Sequence, residues 1–131
     1  MAVYRLYADE GGATHIESLD LFDRPWENGP GDFKGVGGSV LGDASRVMLM
    51  RFERGARPPL HRAVPCFAVL LAGSLVVSSS DGTNVELAPG DAVRVETTGR
   101  GGWRLGNRAN GEALLAVVQM PVTKVQEAGN G

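Results

Sequence analysis

This chain has few residues suited to chemistry. It holds two histidines, His15 and His61, and a single cysteine, Cys66. His61 follows the turn-forming pair Pro58-Pro59 and precedes an apolar run, Phe67 to Ala72, that stops at Gly73. An imidazole titrates near neutral pH, so His61 is the candidate general acid or base. The competing reading is structural, with the ring bonded to backbone or capping the proline turn. Cys66 reads as a small buried hydrophobe on a core strand, as most free cysteines are. It has a second reading as a soft metal ligand: His61 and Cys66 with the carboxylate of Glu96 would favour Zn or Cu. Trp103 offers a flat face to an aromatic or sugar-like ligand, or else packs in the core. Arg51 and Arg94 alternate with apolar neighbours, and either one facing a pocket can hold a carboxylate or phosphate. On the solvent face of a strand they would do nothing of the kind. His15 lies on an early strand and reads as structural.

The elements that must position these groups are short strands. Val3 to Ala8 alternates in polarity and is followed by the turn Asp9-Glu-Gly-Gly12 and a second run, Thr14 to Leu19. Residues 23–38 are dense in breakers (Pro25, Asn28-Gly29-Pro30-Gly31, Gly35, Gly37-Gly38) and read as an irregular arm or lid that Trp26 and Phe33 could dock. Arg46 to Phe52 is a strand. Phe67 to Leu71 reads as a strand buried on both faces, and with Leu75 to Ser79 it predicts a hairpin around Ala72-Gly73-Ser74. Ser80-Asp81-Gly82-Thr83 is a strong hairpin turn leading into Asn84 to Leu87. Ala92 to Glu96 follows the Pro89-Gly90 turn, and Trp103 to Leu105 and Ala113 to Met120 close the series. Residues 123–131 read as a flexible tail. Evenly spaced short strands and no helical period predict an all-β sandwich or closed barrel, of which the jelly roll is one form.

Composition limits the functions. At 131 residues the chain is one domain with room for a core. Its 43% hydrophobic and 21% charged residues fit a globular protein, and its 19 Gly and 7 Pro favour tight turns. A net charge of -2 offers no basic face for nucleic acid. No apolar run reaches membrane-spanning length. The polar N-terminus and lone cysteine predict a cytoplasmic protein without disulfides. Gly35-Val-Gly-Gly38 is no phosphate loop, since neither a Lys-Ser/Thr pair nor a helical pattern follows it.

Two stretches carry a family resemblance. From Gly55 through His61 to Gly73, the chain resembles the first motif of the cupin family, a Gly followed by His-x-His, a Glu and a closing Gly. Ala63 stands at the second His position and Cys66 at the Glu position, with a spacer one residue short. Gly82 to Asp91 resembles the opening of the second motif, with its Pro displaced by one. The closing His-x3-Asn falls on Trp103 to Asn107, or in a nearby register puts Gly102 at the His position. The resemblance runs from about Arg46 to Met120. It implies a single cupin-type jelly-roll (double-stranded β-helix) barrel over residues 1–131, a homodimer paired through an N-terminal strand, and a barrel pocket from which most metal ligands have been replaced. It further implies a metal-independent cupin, without cofactor, that binds a small organic molecule and catalyses a non-redox isomerisation, cyclisation or elimination. In that reading His61 is the acid/base and Trp103, Arg51, Cys66 and Glu96 contact the substrate. The alternatives are a non-catalytic ligand-binding module and a dioxygenase-like metal enzyme with unusual ligands.

Overall fold

A computed structural model describes residues 1–21, 23, 26–28, 34–58, 65–96 and 102–121. The strands are β1 Val3–Ala8, β2 Thr14–Ser18, β3 Glu27–Asn28, β4 Gly37–Gly38, β5 Arg46–Phe52, β6 Cys66–Ala72, β7 Leu75–Ser79, β8 Asn84–Leu87, β9 Ala92–Val95, β10 Trp103–Gly106 and β11 Ala113–Gln119. No helix occurs among the described residues. Nothing there is therefore helical, long and apolar enough to cross a membrane.

The strands form two principal sheets. The larger has six strands in the order β2-β1-β9-β6-β11-β5, and the smaller has three in the order β10-β7-β8. The short pair β3-β4 stands apart, within the stretch expected to be irregular. All pairings in the large sheet are antiparallel except β1 with β9, where Arg5 lies beside Arg94 and Leu6 beside Val95. Alternation along each strand sends one set of side chains between the sheets. Leu6, Leu70 and Leu115 from the large sheet meet Leu75, Val77, Leu87 and Leu105 from the small one, all buried. Burying one such side chain contributes roughly 1.5–3 kcal/mol, so this layer is the main source of stability.

Two seams join the sheets. Thr14 is fully buried, and its hydroxyl donates to the carbonyl of Gly102 at 2.7 Å while accepting from the amide of Ser80 at 2.7 Å. One threonine thus ties β2 to the turn after β7 and to the start of β10. At the other end the buried Asn107 amide donates to the carbonyls of Phe52, Glu53 and Gly111 at 3.1, 3.1 and 2.8 Å.

The expected hairpin at Gly73 does not form. β6 pairs with β9 and β11, and β7 pairs with β8 and β10, so the chain passes from one sheet to the other at this glycine. Gly73 has φ +82, and a Cβ there would lie 2.4 Å from the Glu112 carbonyl oxygen and 2.8 Å from the Ala113 Cα. A sharp turn from one sheet to the other, packed hard against the start of β11, is what the glycine permits. The hairpin expected at Asp81-Gly82 is present, with Ser78 opposite Asn84.

β6 is also not buried on both faces. Cys66, Ala68 and Leu70 point inward and are buried, while Phe67 and Val69 are half-buried and Leu71 is 48% exposed. On β5 the outer face of the large sheet exposes Val47 (72%) and Leu49 (68%). Within the chain, β1 lies between β2 and β9.

Candidate functional site

Five chain segments meet at one end of the large sheet. There β6 begins at Cys66, opposite the ends of β9 at Val95 and β11 at Gln119. Pro65 leads into β6, Met120 and Pro121 follow β11, and Gly42 and Asp43 precede β5. A cleft of about 430 Å³ opens among them, walled by Arg5 and Tyr7 of β1, Arg94 of β9, Glu96, Asp43, Pro65 and Met120. Its polar groups come from alternation. Tyr4 and Leu6 of β1 turn to the core, so Arg5 and Tyr7 turn away from it; Val93 and Val95 of β9 do the same for Arg94.

Charge in the cleft is unevenly balanced. Arg5 donates through Nε and Nη2 to the Glu96 carboxylate, the latter at 3.3 Å to Oε1, and through Nη1 to Glu17 Oε1 at 2.9 Å. Its guanidinium carbon lies 4.3 Å from the centre of the Tyr7 ring. Glu96 first, then Glu17, push the Arg5 pKa above its ordinary value, so this group is a fixed cation. Arg94, its neighbour across the parallel pair, has no ion pair among the described residues. The formal charges of the lining groups Arg5, Arg94, Asp43 and Glu96 cancel, but Arg5 is held by carboxylates and Arg94 is not, which makes Arg94 the guanidinium open to an anionic group.

The residues singled out in the sequence fall in different places. His61 lies outside the described residues. Cys66 and Trp103 are both buried in the apolar core between the sheets, 4% and 5% exposed. Burial pushes the Cys66 thiol up to about 11, so it is neutral at pH 7 and no nucleophile or anionic ligand. Glu96 lines the cleft, with its carboxylate held by Arg5. Arg51 points out of the barrel on β5, 63% exposed, 3.5 Å from Glu53 and 3.8 Å from Glu112. Phe52 beside it takes the inward position.

The family's metal chemistry finds no matching donors in what is described. Cys66 is a protonated thiol and Trp103 an indole packed in the core, where the resemblance requires a carboxylate and an imidazole. The soft set with Glu96 does not converge either, because Cys66 faces the interior and Glu96 the outer side with Arg5. Among the described residues no three His, Cys, Asp or Glu side chains come together as ligands.

Arg5, Tyr7 and Asp43 were not singled out from the sequence. Alternation in Val3–Ala8 already sends Arg5 and Tyr7 to one face. The parallel register that sets Arg5 beside Arg94, separated by most of the chain, has no local sequence signal.

Comparison with solved structures bears on the fold. A sugar phosphate isomerase of the cupin superfamily from Silicibacter pomeroyi is 28% identical, with a TM-score of 0.50 over 58% of this chain and 50% of that one. The chain has the cupin fold. It spans about half the length of that isomerase. A cupin domain from Bordetella pertussis is 21% identical over 64% of this chain and 91% of its own, at a TM-score of 0.44. The CENP-C cupin domain of Drosophila melanogaster is 13% identical over 88% and 72%, also at 0.44. No protein-family model and no curated protein matches the sequence. Within this cupin the jelly roll supplies the two sheets, and the cleft lies on the outer side of the larger one.

Proposed function

We propose that this cupin binds a small, hydroxyl-bearing anion of the sugar phosphate class in the cleft beside Arg94, and isomerises it without metal or redox cofactor. The observation that carries the reading is Arg94, a strand arginine on the cleft wall that makes no ion pair with a carboxylate among the described residues. A phosphate would take Arg94 as its partner, in bidentate contact. Asp43, Glu96 and the Tyr7 hydroxyl supply acceptors and a donor for sugar hydroxyls. The likeness to the Silicibacter pomeroyi protein, a sugar phosphate isomerase, supports the same class.

The chemistry moves two protons. A base removes a proton from the hydroxyl-bearing carbon next to the substrate carbonyl while the carbonyl oxygen gains one, giving an enediol. Returning the carbon proton to the former carbonyl carbon, as the other hydroxyl gives up its proton and becomes the new carbonyl, completes the isomerisation with no net change in oxidation state. His61 is assigned this exchange, because an imidazole side chain can both accept and return a proton. It stands four positions before Pro65, which lines the cleft.

Calorimetric titration with a panel of sugar phosphates, beside an assay for interconversion, tests the reading. Arg94→Gln is expected to weaken binding by about tenfold, the loss of one charge-assisted contact. His61→Ala is expected to keep binding and abolish turnover. Unchanged binding in Arg94→Gln overturns the site. Binding with no interconversion by the wild-type chain overturns the isomerase and leaves a ligand-binding module.

A further inference from the structure

A second cleft, of about 230 Å³, lies on the outer face of the small sheet. Its floor is Val76 and Ser78 of β7 and Arg104 and Gly106 of β10; its rim is Gly55, Ala56, Arg57, Asn107 and Arg108. Three arginines, Arg57, Arg104 and Arg108, therefore line one small concavity, and no carboxylate residue lines it with them among the described residues.

None of the three makes an ion pair among the described residues, where the salt bridges of arginine involve Arg5 and Arg51. The Nε of Arg104 is buried and has no hydrogen-bond partner among the described residues. A buried donor without an acceptor is costly, and like charges gathered in one cleft add repulsion. An anion in the cleft offsets the repulsion and offers the missing acceptor.

The cleft is also preorganised. The Asn107 side chain holds the end of β5 and Gly111 together through its three donated bonds, and its Oδ1 accepts from the Ala109 amide at 3.1 Å. Backbone bonds from Gly55 to Asn107 (3.1 Å) and from Asn107 to Ala56 (2.8 Å) fasten the Arg57 rim to the Arg108 rim. Gly106 lies under the Arg57 stem: a Cβ there would sit 3.8 Å from Arg57 Cγ. The rims that carry Arg57 and Arg108 are thus fastened before any ligand arrives, which lowers the entropy cost of closing on one.

We infer that the Arg57–Arg104–Arg108 cleft is a binding site for a phosphate group, free or as a small monoester, separate from the cleft at Arg94. Guanidinium forks match the oxygens of a tetrahedral dianion, and the cleft's size suits one such group with a small substituent.

The test is a proton–nitrogen correlation NMR titration of the full chain with inorganic phosphate, and in parallel with glycerol phosphate. Saturable shifts are expected at the amides of Gly55, Ala56, Asn107 and Arg108 and at the Arg104 Nε–H. Arg104→Gln and Arg108→Gln are each expected to weaken this binding by about tenfold. Arg108 is exposed, so its variant keeps the fold if loss of the partly buried Arg104 does not. Tighter binding of the ester assigns an esterified ligand, and equal binding assigns the phosphate group alone; both support the site. Arg94→Gln is expected to leave these shifts unchanged, so failure here is separable from failure of the isomerase reading. The absence of saturable shifts at these positions, or unaltered affinity in both Arg108→Gln and Arg57→Gln, overturns the inference.

Discussion

His15 Nδ1 lies 2.8 Å from Asp81 Oδ2, while the other ring nitrogen lies 2.7 Å from Asp9 Oδ2. The imidazole is clamped between the turn after β1 and the turn after β7, tying the two sheets at their rim. Both ring nitrogens can donate in the imidazolium alone, so this geometry favours the charged ring. Asp9 and then Asp81 raise the His15 pKa above 6.5. The carboxyls move the other way: His15 lowers Asp9, and Ser79 with the Thr83 amide lowers Asp81.

The pH dependence follows. The His15 contribution is fully present below its unfolded value of 6.5 and is lost as pH rises through the higher folded value. The Asp9 and Asp81 contributions are present above 3.8 and are lost as pH falls through their lower folded values. Urea midpoints are expected to be higher at about pH 5.5 than at about pH 8.5, and His15→Gln is expected to shrink that difference. An equal difference in the variant would remove His15 as its source.

Gly73→Ala is expected to destabilise the fold by more than about 2 kcal/mol. The new Cβ meets backbone, not a flexible side chain, at 2.4 Å from the Glu112 oxygen, and the residue must still hold φ +82. Gly55→Ala is the control, because its φ is +77 but nothing lies within 4 Å of the added atom. The thermal midpoints of the two variants separate contact from conformation: similar losses would show that strain alone decides.

Asn107→Ala is expected to cost on the order of 2–4 kcal/mol, since it removes the donor shared by the Phe52, Glu53 and Gly111 carbonyls inside the structure. Faster hydrogen exchange at the Ala56 and Ala109 amides should accompany the loss. Intact protection there would show that the backbone bonds of this corner suffice.

Cys66 is expected to resist alkylation at neutral pH and to react freely once the chain is unfolded in denaturant. Its thiol is buried and pushed up to about 11. Because the folded value lies above the unfolded one, the protonated thiol favours the native state below pH 9.0, and that contribution disappears as pH rises towards 11. Cys66→Ala should flatten the alkaline loss of stability between these values. Rapid labelling of the native protein would contradict the core placement.

Much of the fold is legible in the sequence. The alternation in Val3–Ala8, Arg46–Phe52, Leu75–Ser79 and Asn84–Leu87 marks strands with the same bounds they have in the structure. The Asp81-Gly82 turn announces its hairpin, and the glycine frame of the two motifs points to the cupin barrel before any coordinates. These are local signals, carried by side-chain period and by backbone freedom at single positions. Which strand lies beside which is not local. Gly73 reads as a hairpin turn, and tertiary packing makes it a passage between sheets. Arg51 and Arg94 look alike in sequence, and the pairing of β9 with β1 sets one on a cleft while the edge position of β5 leaves the other in solvent. Arg57 and Arg108 acquire a common role through Asn107, whose side chain brings two distant segments to one corner. By itself the sequence determined the strands and the family likeness. The non-local contacts, whose free energy is realised when the sheets close on each other, decided which charged groups share a site.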